Sequence, residues 1–370
     1  MADAPQPAPP ESIGADLRSV HTTSLPALLD QLGVSVAVTT YQAGKFILVR
    51  AEDGKANTHF RGVQQPMGLA RRGNRLALGT ATSVREYVDQ PALATKLPPT
   101  GRHDACYVPR SSHVTGDIAI HELAFVDREL WIVNTRFSCL CTLDSDSSFV
   151  PRWRPPFITG LSLEDRCHLN GLGVRDGQVR YVTALGATDT AAGWRANKRD
   201  GGILMDVPSG AVIARGLSMP HSPRWYADRL WVLESGTGTL AVVDESNGRL
   251  DVVARMPGFT RGLDFWGPYA FIGLSQVRET AVFSGIPIAE RPIEERACGV
   301  WVIDVRTGQT IAFLRFEAGV QEIFAVLALP NRYPDLLADE SDEHVAHSYI
   351  LPDEALPDVR PAPGPDTLNT

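Results

Sequence analysis

A short β-hairpin unit recurs along the chain and constrains the fold more than any other feature of the sequence. In its clearest copy, residues 222–256, four β-rich runs follow one another, and Asn247-Gly248 forms the turn between the last two. Asn-Gly between two alternating runs is a strong hairpin signal. Similar units, with a polar or glycine turn and no helical period, occupy residues 68–80, 123–135, 171–185 and 262–275.

Units of this kind, spaced by roughly 40–60 residues, are typical of β-propeller blades. Inner strands are predicted to begin near residues 67, 121, 170, 222 and 261, with a sixth at 322–329. No convincing strand follows the sixth, but three precede the first inner strand, at 34–41, 45–51 and 58–63. Pairing these with the C-terminal strand would close the ring and remove exposed sheet edges. We therefore predict an all-β, six-bladed propeller; a seven-bladed ring and a sandwich are the alternatives.

The chain divides into three parts by composition. Residues 1–24 begin Pro/Ala-rich, lack the basic and apolar regions of a signal peptide, and are predicted to be a disordered leader. Residues 25–334 are predicted to form a single propeller domain that includes a short helix around residues 25–32. Residues 335–370 open with an acidic stretch, end Pro-rich, and are predicted to be an irregular tail.

Charge and cysteine content narrow the classes of function. The 370-residue chain has a formal net charge of −8, which argues against non-specific binding to nucleic acid or to an anionic membrane. No apolar run approaches the roughly 20 residues of a membrane span. The five cysteines are odd in number and scattered, as expected for reduced thiols, so we predict a cytoplasmic protein.

Three long insertions, 81–103, 187–200 and 276–298, are each predicted to lie between the second and third strands of a blade. In a propeller that loop lies on the same face as the loop that enters the inner strand. Variable loops on a rigid scaffold often carry function. We therefore expect the insertions to cover the face where the central channel opens; the alternative is that they serve oligomer contacts.

Histidines recur near the predicted starts of three consecutive inner strands, as His121, His168 and His221. Neutral imidazole is the commonest metal ligand, and a carboxylate completes many such sites. With Glu322 or Glu122, the three histidines would suit one divalent iron, zinc, copper or manganese ion, and calcium less well. The alternative is that each histidine is a satisfied hydrogen-bonding group at a strand start.

Arg261 occupies the corresponding position in the fifth repeat. A guanidinium group there could orient an anionic group of a ligand, such as a carboxylate or a phosphate. Glu322 or Glu122 would then serve as a metal ligand or as a general base. An ion pair between Arg261 and one of these glutamates is the competing interpretation.

Two resemblances rest on particular segments. The segment His168-Leu169-Asn170-Gly171-Leu172-Gly173, with Asp176-Gly177 and Tyr181 after it, resembles a blade of the gluconolactonase and strictosidine-synthase-like propellers. In the lactonases the asparagine of an Asn-Gly-Leu step is a divalent-metal ligand, so the resemblance implies that role for Asn170. The other oxygen ligands of that family have no counterparts here, and histidines occupy neighbouring positions instead.

From residue 25 to residue 350 the chain more closely resembles an uncharacterised bacterial family of hypothetical proteins. The resemblance rests on His-Leu-Asn-Gly-Leu, Pro-His-Ser-Pro-Arg-Trp and Arg-Gly-Leu-Asp-Phe, at residues 168–172, 220–225 and 261–265. It implies no known activity.

Two functional hypotheses follow from these residues. The first is a metal-dependent enzyme, of oxygenase or of hydrolase or lyase type, that acts on a small molecule or a peptide side chain bearing an anionic group. The second is a non-catalytic propeller that binds a protein or peptide partner and uses its histidines structurally. Neither involves nucleic acid or a membrane, and neither fixes the oligomeric state.

Overall fold

Six sheets follow one another around a central channel in the computed structural model, which describes residues 17–277, 284–338, 340 and 342–351. The inner strands of neighbouring blades contact one another around the whole ring. The predicted six-bladed propeller is thus confirmed. Residues 1–16 of the predicted leader and 352–370 of the predicted tail lie outside the described residues.

Blade 1 combines the two ends of the chain. From the channel outwards, its strands are Ala325–Leu329, Ser35–Thr40, Lys45–Glu52 and Lys55–Gly62. Blade 2 contains Leu69–Arg72, Arg75–Gly79, Ser83–Asp89 and Ala105–Val114. Blade 3 contains Ile120–Val126, Glu129–Asn134, Cys139–Thr142 and Val150–Trp153.

The other three blades follow the same order from the channel to the rim. Blade 4 contains Leu169–Arg175, Gln178–Ala184, Gly202–Asp206 and Val212–Leu217. Blade 5 contains Pro220–Tyr226, Arg229–Glu234, Thr239–Val243 and Leu250–Arg255. Blade 6 contains Phe259–Trp266, Tyr269–Ser275, Cys298–Asp304 and Gln309–Phe316.

The ring closes in blade 1, where the C-terminal inner strand pairs antiparallel with Ser35–Thr40. Ser35 lies opposite Leu329 and Thr39 lies opposite Ala325, which confirms the predicted closure. The strand begins at Ala325 rather than at residue 322, and Phe324 just before it donates its backbone N–H to the Thr39 carbonyl at 2.8 Å. This antiparallel pairing covers the edge of Ser35–Thr40 that would otherwise be open.

Two short strands extend the ordered structure beyond the predicted domain of residues 25–334. Ser19–His21 pairs with the outer strand of blade 6, and Pro334–Leu336 pairs in parallel with the outer strand of blade 2. Asp335 is buried, and its carboxylate pairs with Arg61 at 2.6 Å and with His59 at 3.1 Å. Parts of the predicted leader and tail therefore form outer edges of blades.

Helices are few and lie outside the blades. The helix Ser24–Leu32 matches the one predicted and buries Leu25, Leu28 and Leu29 in a core shared with blades 1 and 6. The remaining helical segments are Pro91–Ala94, Glu343–Ala346 and the 3-10 turns Gly193–Asn197, Pro287–Glu290 and Ile293–Glu295. None of the helices within the described ranges combines the length and the apolar character that crossing a membrane requires.

The predicted placement of the three insertions is right for two and wrong for one. Residues 185–201 and 276–297 join second to third strands, in blades 4 and 6, on the face where the inner strands begin. The segment 81–103 instead contains the third strand of blade 2, Ser83–Asp89, and its long loop joins third to fourth strands on the opposite face. Residues 278–283 of the last insertion lie outside the described residues.

We expect Thr39→Val to lower the free energy of unfolding by about 2–4 kcal/mol. The Thr39 hydroxyl donates to the Met67 carbonyl at 2.6 Å and accepts from the Ala325 N–H at 3.0 Å, so it joins blade 1 to blade 2 and to the closing strand. Urea unfolding followed by circular dichroism measures the change. Thr310→Val, on an exposed position of an outer strand, is the matched control and should change stability little. Equal stability of both variants would contradict the role given to Thr39.

Candidate functional site

The chain enters three inner strands by the same turn, and this turn aims side chains into the channel mouth. Ala119, His168 and Met219 have positive φ angles of 50°, 51° and 48°, and each is followed at once by the first residue of an inner strand. Residues two positions after the turn are therefore equivalent, and these are His121, Asn170 and His221. His168 itself occupies the turn, one step outside that ring.

The His121 imidazole is fixed through its Nδ1 atom. Nδ1 lies 2.7 Å from the Thr135 hydroxyl and 3.2 Å from the Ala119 carbonyl. The Thr135 hydroxyl donates its own proton to the Leu169 carbonyl at 2.6 Å, so it accepts from His121. Nδ1 therefore carries the proton, and the neutral ring has its lone pair on Nε2.

His221 and His168 are fixed in the same way. The Nδ1 of His221 lies 2.9 Å from both the Met219 carbonyl and the Ser235 hydroxyl. The Nδ1 of His168 lies 2.9 Å from the nearer carboxylate oxygen of Asp165. A carbonyl and a carboxylate can only accept, so both Nδ1 atoms donate. No Nε2 atom of the three histidines makes a hydrogen bond to any residue in the described part of the chain.

The His121 imidazole lies beside the rings of both His168 and His221. The ring centroids of His121 and His168 are 4.8 Å apart, nearly perpendicular, and those of His121 and His221 are 6.4 Å apart and nearly parallel. Burial, together with the nearby charge of Arg261, holds the pKa of His121 and of His221 well below the ordinary value, so both are neutral. Within the residues described, no three His, Cys, Asp or Glu side chains already form a metal-binding group.

Asn170 completes the ring of equivalent positions between His121 and His221. Its amide oxygen accepts from the Thr183 hydroxyl at 2.6 Å, whereas its buried Nδ2 has no partner in the part of the chain that the structure describes. Gly171 beside it is required by a close approach, because a Cβ there would lie 2.2 Å from the Thr183 hydroxyl oxygen and 2.4 Å from Pro223. Asn170 therefore presents an unfilled donor to the channel.

Arg261 lies in the channel between an aromatic ring and a carboxylate. Its guanidinium carbon is 3.5 Å from the Phe324 ring centroid, and one nitrogen is 3.4 Å from the Glu322 carboxylate. Burial raises the pKa of Glu322 to about 7, although Arg261 and the backbone N–H of Gln42 lower it. The ion pair considered as the competing interpretation is therefore present, and it is a single, long contact.

Glu122 is engaged in a different contact from the one predicted. Its carboxylate pairs with the Arg224 guanidinium and accepts from the Leu172 N–H at 3.0 Å. Arg224, on blade 5, also donates to the Leu263 carbonyl on blade 6. A side chain that joins blades 3 and 6, on opposite sides of the ring, must cross the channel. The pair thus lies across part of the channel below the histidines, and Glu122 is engaged in this contact rather than free to act as a base.

Above this pair is a small cavity. It is lined by His121, His221, Asn170, Arg261, Phe324, Glu122 and Arg224, among others. The space there for the centres of water molecules is about 20 Å³, enough for one or two of them. The cavity can hold an ion or one small polar group, and a larger molecule would have to lie outside it, on the side of the mouth.

The two insertions on this face form a lid, defined as residues 185–201 and 284–297. They share one apolar cluster, made of Leu185, Trp194, Met219, Phe259, Val277, Ile286 and Ile288. Trp194 packs against His168 with ring centroids 4.4 Å apart and ring planes tilted by 42°, and its Nε1 donates to Asp165 at 3.0 Å. One carboxylate therefore holds both the lid and His168.

Thr135, Ser235 and Asp165 position the histidines, and the sequence analysis did not identify them. A signal was available for two of them. Thr135 follows His121 by 14 residues, and Ser235 follows His221 by the same 14 residues, each at the end of a Leu-Trp strand. Asp165 lies in an irregular loop three residues before His168, and no periodic pattern marks it.

We expect Arg224→Met to lower the free energy of unfolding by about 3–5 kcal/mol, because it leaves the Glu122 carboxylate buried without its cation. The double variant Arg224→Met, Glu122→Gln should recover part of this loss, because no unpaired charge remains. Urea unfolding of the two variants and the wild type measures both changes. A single variant as stable as the wild type would show that the pair does not hold the blades together.

The raised pKa of Glu322 predicts a pH-dependent stability. A carboxyl group with a pKa of about 7 when folded and 4.5 when unfolded binds more protons in the folded state, so stability falls as pH rises from 4.5 to 7. The loss is about 3 kcal/mol. Glu322→Gln removes this dependence. Between pH 5 and pH 8 the wild type should lose about 2.5 kcal/mol in free energy of unfolding relative to the variant, as measured by urea unfolding at the two pH values. An equal change in both proteins would contradict the burial of an ionisable Glu322.

Comparison with solved structures supports the fold alone. A protein of unknown function from Bacteroides caccae is 8% identical, with a TM-score of 0.50 over 80% of this chain and 99% of that one. A chain from a nidogen/laminin complex is 10% identical, with a TM-score of 0.49 over 81% of this chain and 100% of that one. The narrower resemblance to gluconolactonases and strictosidine synthases is not confirmed.

A search of curated proteins finds no match. The family models do give one: a domain of unknown function, DUF4915, matches residues 23–337, which is nearly the whole propeller and includes every residue of the channel mouth named above. This chain belongs to the DUF4915 family.

Proposed function

We propose that the protein is a metal-dependent enzyme whose single divalent ion is bound by the Nε2 atoms of His121, His168 and His221. The observation that supports the proposal most strongly is that the Nδ1 atoms of all three histidines are hydrogen-bonded to the protein. Each donates to a protein acceptor, so a ring in its neutral form offers Nε2 as its only lone pair. Metal-binding histidines are commonly oriented by such Nδ1 hydrogen bonds.

The ring positions support a shared ion. Three imidazoles on one tetrahedral ion have centroids about 5 Å apart, given nitrogen-to-metal distances near 2.0–2.1 Å. The rings here are separated by 4.8 Å and 6.4 Å, so binding would require His221 to move towards His121. Neutral nitrogen donors suit iron, zinc, copper or manganese.

The surrounding residues support chemistry on an anionic substrate. Three protein ligands leave coordination positions open, where an ion acts as a Lewis acid or activates oxygen. Among the described residues, Glu322 is the one acceptor for the guanidinium N–H groups of Arg261. The remaining N–H groups can bind an anionic group. Glu322, with a pKa of about 7, can both accept and donate a proton near neutral pH. The substrate would be a small molecule or a peptide side chain held under the lid.

We expect tag-free protein, purified without chelators, to contain one equivalent of a transition metal per chain. Inductively coupled plasma mass spectrometry measures the content. Alanine at His121, His168 or His221 should remove most of the metal, because each variant deletes one of three ligands. Far-ultraviolet circular dichroism should show that the blades stay folded. His347→Ala, at an exposed histidine near the C-terminus, is the matched control and should keep the wild-type metal content.

Two outcomes would overturn the proposal. One is wild-type protein that binds no iron, zinc, copper or manganese even after incubation with each ion. The other is alanine variants that keep their metal. In either case the histidines serve as hydrogen-bonding groups, and the hypothesis of a non-catalytic binding propeller takes precedence.

A further inference from the structure

We propose that the cavity beneath the histidines is a subsite for one carboxylate group, held by Arg261 and Asn170. The role of this subsite in holding a substrate rests on the proposed function. Binding of a carboxylate there does not require the metal. The inference gives Asn170 a different role from that of the metal ligand implied by the lactonase resemblance.

The first argument is the set of unfilled donors. Asn170 is 2% exposed, and its Nδ2 finds no acceptor among the described residues although it borders a cavity. The guanidinium of Arg261 borders the same cavity, and across the described ranges its single hydrogen bond is the long contact with Glu322. Buried polar groups are rarely left without partners. A ligand that satisfies both the Asn170 amide and the Arg261 guanidinium must therefore offer hydrogen-bond acceptor atoms.

The second argument is charge. Among the described residues, the charged groups that line the cavity are Arg261, Arg224 and Glu122. Arg224 and Glu122 pair with each other, so Arg261 is the charged side chain of the lining that has no partner within it. Glu322 faces Arg261 from outside this lining, at 3.4 Å. A buried guanidinium that is only partly compensated favours an anion over a neutral ligand.

The third argument is size and direction. Space for one or two water centres admits the two oxygens of a carboxylate, but not the four oxygens of a phosphate or sulfate group. The Glu122–Arg224 pair occupies the channel on one side of the cavity, so the rest of the molecule extends on the other side, past the histidines towards the lid. The substrate class is therefore a carboxylic acid, bound by its carboxylate with its remaining atoms beside the Nε2 lone pairs.

The experiment uses metal-free full-length protein and acetate as the probe. Titration with ¹³C-labelled acetate, followed by the NMR shift and line width of the acetate signal, should show binding of one acetate per chain. Phosphate and sulfate at equal ionic strength should not displace it. Because no metal is present, this result does not depend on metal binding by the histidines.

Two variants test the two donors. Asn170→Asp replaces the donating Nδ2 with a charged oxygen at nearly the same size, and Arg261→Met removes the guanidinium. Each should weaken acetate binding at least tenfold. Arg128→Met, at an exposed turn on the opposite face, is the matched control and should bind acetate as the wild type does. Circular dichroism and melting temperature check folding; if Arg261→Met is unfolded, Arg261→Lys keeps the charge and should still weaken binding by losing the paired donors.

The outcomes separate the subsite from the proposed function. Absence of acetate binding to the wild type, or binding that survives in both Asn170→Asp and an Arg261 variant, overturns the subsite even if metal is found. Displacement by phosphate also overturns it, because the pocket would then accept a tetrahedral anion. Acetate binding that depends on both residues in a protein without any metal affinity keeps the subsite and rejects the metal enzyme.

Discussion

The antiparallel pairing of Ala325–Leu329 with Ser35–Thr40 is the constraint on which the rest of the structure depends. Inner strands of a propeller are short, and each is held by its own blade and by its two neighbours in the ring. Without the last inner strand, blade 6 and blade 2 would each lose a neighbour, and the channel would have no fixed diameter. The contacts across the channel, such as Arg224 with Glu122, require that diameter to be set.

The same local arrangement of residues occurs three times at the mouth of the channel, in blades 3, 4 and 5. A residue with positive φ immediately precedes the inner strand, the residue two positions later faces the channel, and a hydroxyl near the end of the second strand hydrogen-bonds to it. His121 with Thr135, Asn170 with Thr183 and His221 with Ser235 follow this plan. Because the scaffold is repeated, the side chain at each position can change while its placement stays the same. His168 departs from the plan and depends on Asp165 and the lid instead.

The fold could be predicted from the sequence because each blade carries its own hairpin signal, and local signals are what a single sequence displays. The inner strand of blade 4 was expected near residue 170 and begins at Leu169. The strand Ser83–Asp89 was missed because its charged outer residues resemble a loop. The contents of the mouth could be predicted in part, since histidines near strand starts stand out. Glu122 and Arg224 are 102 residues apart, and no local pattern pairs residues so distant.

The sequence also could not show that Asn170, and not His168, occupies the position equivalent to His121 and His221. This equivalence depends on positive φ angles at Ala119, His168 and Met219, and none of these residues is a glycine that would have marked the turn.

The composition of blade 1 determines when the protein can fold during synthesis. Three of its strands are translated before blades 2 to 6, whereas the fourth, residues 325–329, is translated after them. Until then the edge of Ser35–Thr40 is unpaired, and an unpaired edge is a template for pairing with another chain. Slow translation of the intervening blades lengthens that exposure. The closure therefore leaves the edge of Ser35–Thr40 open to pairing with another chain until residues 325–329 have been made.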